Sequence, residues 1–445
     1  MNVMKFGGTS VGSPERMKHV VSLVTRSDKP VFVVLSAMSG TTNSLVEISD
    51  CFYQRNAEAA LDIIDTLEEK YMKHVDELYS TEAWREKTRM FLREKFEYLR
   101  TFADDIFTSY EEKCVVAQGE IMSTNMVTNY LLECGVKAVL LPALDFMRTD
   151  KNGEPDGPYI REHLSALMEV NRGCDIYMTQ GFICRNSYGE IDNLQRGGSD
   201  YTASLVGEAV DAGEIQIWTD IDGMHNNDPR FVDKTSPIRQ LNFEEATELA
   251  YFGAKILHPT CVQPAQRSGI PVRLLNTMEP EAEGTIVNDI VHAGNIKAVA
   301  AKDNMMTVTV KCPPTQLLAR FTRQVFDLFE THQTSADIIC SSQMNISVCM
   351  ENNPRAAELV EDLKRIGTVT VNPDMCIISI VGDLNWESTS FESVVLNALK
   401  DIPLRTVAYG ASNYNISVLV RKTDKQRALQ SLSDVLFNNK QTVSQ

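Results

Sequence analysis

Basic residues are in short supply: 43 Lys and Arg stand against 60 Asp and Glu, a formal charge of −17. That balance argues against nonspecific attachment to a nucleic-acid backbone or an anionic membrane, so an anionic ligand must be met by a local basic cluster. Long hydrophobic runs are missing as well, and no segment approaches the roughly 20 apolar residues that span a bilayer. The start, Met1 to Gly8, has no basic stretch followed by an apolar one, so the expected location is the cytoplasm. Paired cysteines are the third absence. The ten cysteines, at 51, 114, 134, 174, 184, 261, 312, 340, 349 and 376, contain no Cys-x-x-Cys pair and have no His at zinc-ligand spacing. They read as reduced, mostly buried apolar residues. With the seven histidines equally scattered, no structural metal is expected. What is present is ordinary core material: 43% hydrophobic and 23% charged residues exclude wholesale disorder and fibrous repeats. At roughly 150 residues per domain, the length of 445 predicts about three domains, or one large and two small.

The first segment alternates strand-like and helix-like pieces. Asn2 to Phe6 reads as a strand and is followed by a Gly-rich turn. Ser13 then offers an N-cap and Pro14 the first position of a helix with Met17, Val20, Val21 and Val24 at helical spacing. Val31 to Leu35 is a buried strand, which completes a unit of a parallel sheet. Residues 55–112 lack Gly and Pro and read as a helical insertion, a solvated amphipathic hairpin in preference to a partner-binding coiled coil. Strand signals return at Lys137 to Leu141, Asp175 to Phe182, Glu214 to Thr219 and Pro271 to Leu275. The fold class is therefore α/β, a mostly parallel sheet with helices on both faces. After Gly284 the pattern changes to short strands at 306–311, 346–350, 376–381 and 416–420, with helices near 316–330, 354–366, 388–400 and 424–437. This predicts a C-terminal α+β region of two tandem modules of about 70 residues each. The expected division is 1–292 and 293–445.

Four glycine-associated clusters carry the chemistry. Lys5-Phe6-Gly7-Gly8-Thr9-Ser10 lies where a strand turns into a helix, where free backbone N–H groups favour phosphate oxygens. It is not a P-loop, since its only Lys precedes the glycines. Arg196-Gly197-Gly198-Ser199-Asp200 combines a guanidinium suited to a carboxylate with an acid at a helix start. Trp218-Thr219-Asp220 runs into a polar loop, Gly223 to Arg230, at a strand C-terminal end. Phe252 to Pro259 places Lys255 beside a glycine. Singly, each also reads as a structural bend, a helix-capping acid or a surface lysine. Their joint occurrence in an acidic chain is much harder to assign to chance.

In order and spacing these clusters resemble those of the aspartate kinases within the amino acid kinase superfamily, and the resemblance extends over the helical insertion and a tail similar to two ACT modules. It implies transfer of the ATP γ-phosphate to the side-chain carboxylate of L-aspartate, with ATP and Mg2+ as cofactors. It also implies that Lys5 stabilises the transferring phosphoryl group while Asp200 holds Lys5. Aspartate is assigned to Arg196, Glu120, Thr42 and Ser199. Nucleotide is assigned to Lys5, Gly7, Gly8, Thr9, Thr219, Asp220, His225, Arg230, Lys255 and Ile256. His225 stands where relatives often carry Tyr. Magnesium is expected to ride on the ATP phosphates and water, without a protein metal cage. In the tail, Phe321, Asp337 and Ser342 are the implied effector contacts, with L-lysine the expected effector and threonine or no inhibition the alternatives. Two departures stand out: Leu318-Ala319-Arg320 lacks a Gly often found before Phe321, and Gln343 replaces a residue that can be acidic. The chain ends where the modules end, as in the monofunctional form, and association into a homodimer or homotetramer through the modules is implied. Competing readings are a glutamate or acetylglutamate kinase, and a noncatalytic amino-acid sensor that keeps only the tail's function.

Overall fold

The computed structural model describes the chain except residues 104, 195–196, 254–258, 293, 315, 388–390 and 439–445. Two compact units emerge. The first comprises Met1–Met224, Arg239–Phe243 and Ile256–Ile290, and the second His225–Ile238, Glu244–Lys255 and Val291–Gln445.

In the first unit the chain runs β1 (Asn2–Phe6), α1 (Pro14–Arg26), β2 (Val31–Leu35), α2 (Thr41–Tyr53), α3 (Ala57–Leu78), α4 (Glu82–Thr101), α5 (Ser109–Glu133), β3 (Ala138–Leu140), α6 (Gly157–Val170), β4 (Ile176–Gln180), β5 (Ile183–Arg185), β6 (Ile191–Asn193), α7 (Gly198–Ala209) and β7 (Glu214–Thr219). It continues through β8 (Gln240–Asn242), α8 (Phe243–Tyr251, most of which belongs to the second unit), α9 (Pro259–Arg267), β9 (Val272–Asn276) and β10 (Thr285–Asn288). Eight strands form one sheet in the order β3-β4-β2-β1-β7-β9-β10-β8. Within this sheet only the β9–β10 pair is antiparallel among the described pairings, as the α/β reading expects. The five residues of β2, Val-Phe-Val-Val-Leu, are all buried, the pattern of a parallel strand covered on both faces. Helix α1 starts as its sequence directs: Ser13 Oγ accepts the Arg16 N–H at 3.4 Å, Pro14 opens the helix, and Met17, Val20, Val21 and Val24 are buried.

The region expected as a solvated hairpin is helical, but it is not an appendage. Ile64, Leu67, Tyr71 and Val75 of α3 and Leu92, Phe96 and Leu99 of α4 are buried in one cluster with Met4 and Phe6 of the central strand. Beyond it α5 carries buried residues around its whole circumference from Cys114 to Leu131, because it is enclosed by packing on several sides.

The second unit holds β11 (Ile296–Lys311), α10 (Leu318–Thr331), β12 (Ile338–Ser341), β13 (Asn345–Glu351), α11 (Ala356–Ile366), β14 (Thr368–Gly382), α12 (Phe391–Ala398), β15 (Thr406–Tyr409), β16 (Asn415–Arg421) and α13 (Lys425–Ser433). The two expected modules share one antiparallel sheet, in the order β12-β13-β11-β14-β16-β15. Strands β11 and β14 are 16 and 15 residues long and run through both halves, with register shifts between Lys302 and Thr307 marking the join. Each half has its own core, one around Val308, Phe321 and Leu359, the other around Ile378, Val418 and Leu429. Six of the ten cysteines are buried and all ten are free.

Candidate active site

The C-terminal ends of β1, β2 and β4 open onto a cleft of about 380 Å³ in the first unit, lined by Lys5, Gly8, Ser39, Thr42, Glu120, Phe182, Ser199 and Asp200 among others. The crevice outside the carboxyl ends of the strands is where open α/β sheets bind ligands. Lys5 is 7% exposed, and its Nζ lies 2.6 Å from Asp200 Oδ1 in the first turn of α7. The ammonium is thereby held at the cleft with its charge balanced. The turn after β1 passes very close to the turn after β2: Ser39 N–H donates to Gly8 C=O at 3.1 Å, and a Cβ on Gly8 would stand 2.7 Å from Ala37 O. Only glycine fits there. Gly197 caps α7 in the left-handed conformation, φ +76°, so that the helix N-terminus opens at the cleft. The first turn of α2, with Thr42, does the same. Two helix N-termini and an ammonium make the cleft a receptor for anions.

Glu120, 4% exposed, is the counterpart for a cation. One oxygen accepts the Ala37 N–H at 3.1 Å, and Oε2 has no hydrogen-bond partner among the described residues. Burial pushes its carboxyl up to about 7, offset in part by the Ala37 N–H. Helix α5 is fastened behind it: Ser123 Oγ donates to Ser36 C=O at 2.8 Å, and Gln180 Nε2 donates to Thr124 Oγ1 at 2.9 Å.

The structure thus brings together Lys5, Gly8, Thr42, Glu120, Ser199 and Asp200. Gly7 follows directly, its N–H donating to Trp218 C=O at 3.3 Å; Thr219 ends that neighbouring strand and the exposed Asp220 lies just beyond it. Thr9 C=O accepts from Arg16 at 2.6 Å. Arg196, Lys255 and Ile256 lie outside the described residues. His225 and Arg230 belong to the second unit, where His225 Nδ1 is 2.9 Å from Thr235 Oγ1 and Arg230 forks onto Asp228 at 2.9 and 2.6 Å. Sequence reasoning missed Phe182, Ser39 and Asn43, which also line the cleft. Phe182 holds φ +68°, a strained value for a large side chain. Its only signal was its place after a buried strand and Gly181. In the tail, buried Asp337 is ion-paired with Lys302 and lines a cavity of about 390 Å³ with Glu248, Tyr251 and Asn415. Burial, and then Asp337, push the Tyr251 hydroxyl up to about 12. Phe321 has its side chain in the core beneath α10, and Ser342 sits in the exposed β12–β13 turn.

Residues 1–276 match the amino acid kinase family, and residues 378–436 match an ACT domain. Lysine-sensitive aspartokinase 3 of Escherichia coli is 31% identical over 98% of this chain and 99% of its own length. The crystal structure of E. coli aspartokinase III in complex with aspartate and ADP superposes with a TM-score of 0.85 at 30% identity, covering 98% of this chain and 100% of that one. The complex of the same enzyme with lysine and aspartate gives 0.80 at 30% identity, over 98% and 99%.

Proposed function

The chain belongs to the amino acid kinase family, as an aspartokinase, and from that premise we propose that it transfers the γ-phosphate of ATP to the side-chain carboxylate of L-aspartate, forming 4-phospho-L-aspartate at the head of lysine, threonine and methionine synthesis. The observation that carries the reading is a cleft lined both by the Lys5 ammonium, paired with Asp200, and by Glu120, one oxygen of which has no hydrogen-bond partner among the described residues. A carboxylate nucleophile is ionised at neutral pH and needs no general base. Catalysis is then alignment of two anions and cancellation of charge on the moving phosphoryl group. Lys5 supplies that charge, Asp200 holds it in place, and Gly7, Gly8 and Thr9 let the phosphates approach the backbone. Glu120 takes the substrate ammonium, Arg196 a carboxylate, and Thr42 and Ser199 add hydrogen bonds. Thr219, Asp220, His225, Arg230, Lys255 and Ile256 are assigned to the nucleotide. The exposed Asp220 carboxylate is a hard oxygen donor that would suit the hydrated shell of a Mg2+ ion, which when bound would supply neutralisation of phosphate charge.

Residues 1–292 carry this chemistry in the proposed division and 293–445 the control, exerted by L-lysine at Asp337 in a homodimer or homotetramer within the cytoplasm. No described helix is long and apolar enough to cross a membrane. The test is ATP consumption with L-aspartate, L-glutamate and N-acetylglutamate offered singly. Turnover with aspartate alone is expected, and turnover with either other acid in its place rejects the substrate assignment.

A further inference from the structure

The segment His225–Ile238 carries His225 and Arg230, yet it is built into the second unit. Asn226 C=O accepts the Val299 N–H of β11 at 2.8 Å, and Asn227 Nδ2 donates to Leu429 C=O of α13 at 3.3 Å. Val232 is buried among Cys376, Ile378 and Val418. Lys425, at the start of α13, is the feature that packing does not explain. It is 6% exposed, with Nζ 2.6 Å from Asp303 and 3.8 Å over the ring of Phe231. A buried ammonium is costly unless paired, and an apolar side chain would fill the space without that cost. What the ammonium adds is a directional hold on an aromatic face. Phe231 is the direct neighbour of Arg230, whose exposed guanidinium forks onto Asp228 and lies 5.9 Å from the centroid of the Phe231 ring.

We propose that Lys425 is a positioning residue for the kinase reaction: held by Asp303, it clamps Phe231 and so fixes the direction in which Arg230 presents its guanidinium to the nucleotide phosphates. The inference rests on the proposed assignment of Arg230 to the nucleotide. It is tested by steady-state kinetics of the full chain, varying Mg-ATP and aspartate separately, for wild type, Lys425→Met, Lys425→Arg, Asp303→Asn and Arg230→Ala. Lys425→Met is expected to raise the ATP KM about fivefold or more, with kcat and the aspartate KM within about twofold. Lys425→Arg keeps the cation and should restore most of the loss. Asp303, with its side chain 48% exposed, tolerates Asn without threat to folding and should shift the ATP KM in the same direction by less. It decides the matter should Lys425→Met fail to fold. An unchanged ATP KM in Asp303→Asn and in folded Lys425→Met, alongside a raised one in Arg230→Ala, overturns the positioning role alone. A normal ATP KM in Arg230→Ala overturns the nucleotide assignment and this inference with it. A fall in kcat with both KM values moving together, unrescued by Arg, marks Lys425 as merely structural.

Discussion

Lys5 and Glu120 bring opposite charges to the cleft, and the role proposed for each predicts a different kinetic signature. In the proposed mechanism the Lys5 ammonium acts on charge that develops during transfer, so Lys5→Ala should lower kcat about a hundredfold or more while the aspartate KM changes little. Rapid-quench and steady-state rates check this, and near-normal turnover would refute the role. Glu120, proposed to take the substrate ammonium, would act on the ground state. With its carboxyl raised to about 7, the empty enzyme binds a proton there that aspartate must displace. The aspartate KM should therefore rise as pH falls below about 7, approaching tenfold per unit, and Glu120→Gln should abolish the trend. The stability sign is the reverse of an ordinary paired carboxylate. Between the usual value near 4.5 and about 7 the folded state holds more protons than the unfolded one. Stability should then fall as pH rises through that window and level off above it. Denaturant titrations across the window would contradict this if stability rose with pH.

At the scale of elements, the hairpin of α3 and α4 supports the cleft from behind. Phe96 packs edge-on against Tyr71 at 5.7 Å, and the Tyr71 hydroxyl is 3.0 Å from Thr41 Oγ1 in the first turn of α2. Phe96→Ala should cost about 3–5 kcal/mol in urea unfolding, far more than truncation of a solvated helix would cost. A loss below 1 kcal/mol would return the hairpin to the status of an appendage. The amphipathic spacing of these helices was legible in the sequence, but their shared core was not, because periodicity reports which face is apolar and not what covers it. Strands β1, β2 and β7 were legible for the same local reason, as buried runs ending in glycine or polar turns. The continuity of β11 and β14 through both halves of the tail was hidden by the polar residues at the register shift around Lys302 and Asn304.

For the whole molecule, local pattern put Lys5 and Gly8 at a strand end and Asp200 at a helix start, and it was the resemblance to the aspartate kinases that implied their meeting, which the Lys5–Asp200 pair now shows. Joining His225–Ile238 to the tail required long-range contacts such as Asn227 with Leu429, which no local pattern announces. Nor did spacing reveal that Phe321 faces the core. Asp337 is buried against Lys302 and keeps one oxygen without a hydrogen-bond partner among the described residues. Asp337→Ala should accordingly weaken inhibition by lysine and leave uninhibited turnover nearly intact; calorimetric titration and inhibition curves that are the same for both proteins would remove this carboxylate from the effector site. The central claim is the transfer of phosphate to the side-chain carboxylate of aspartate. Incubating the protein with Mg-ATP, L-aspartate and hydroxylamine, and identifying the trapped product by mass spectrometry, tests it most directly. The account predicts the β-hydroxamate of aspartate in step with ADP release; ADP release without that hydroxamate, or an α-hydroxamate in its place, would contradict it.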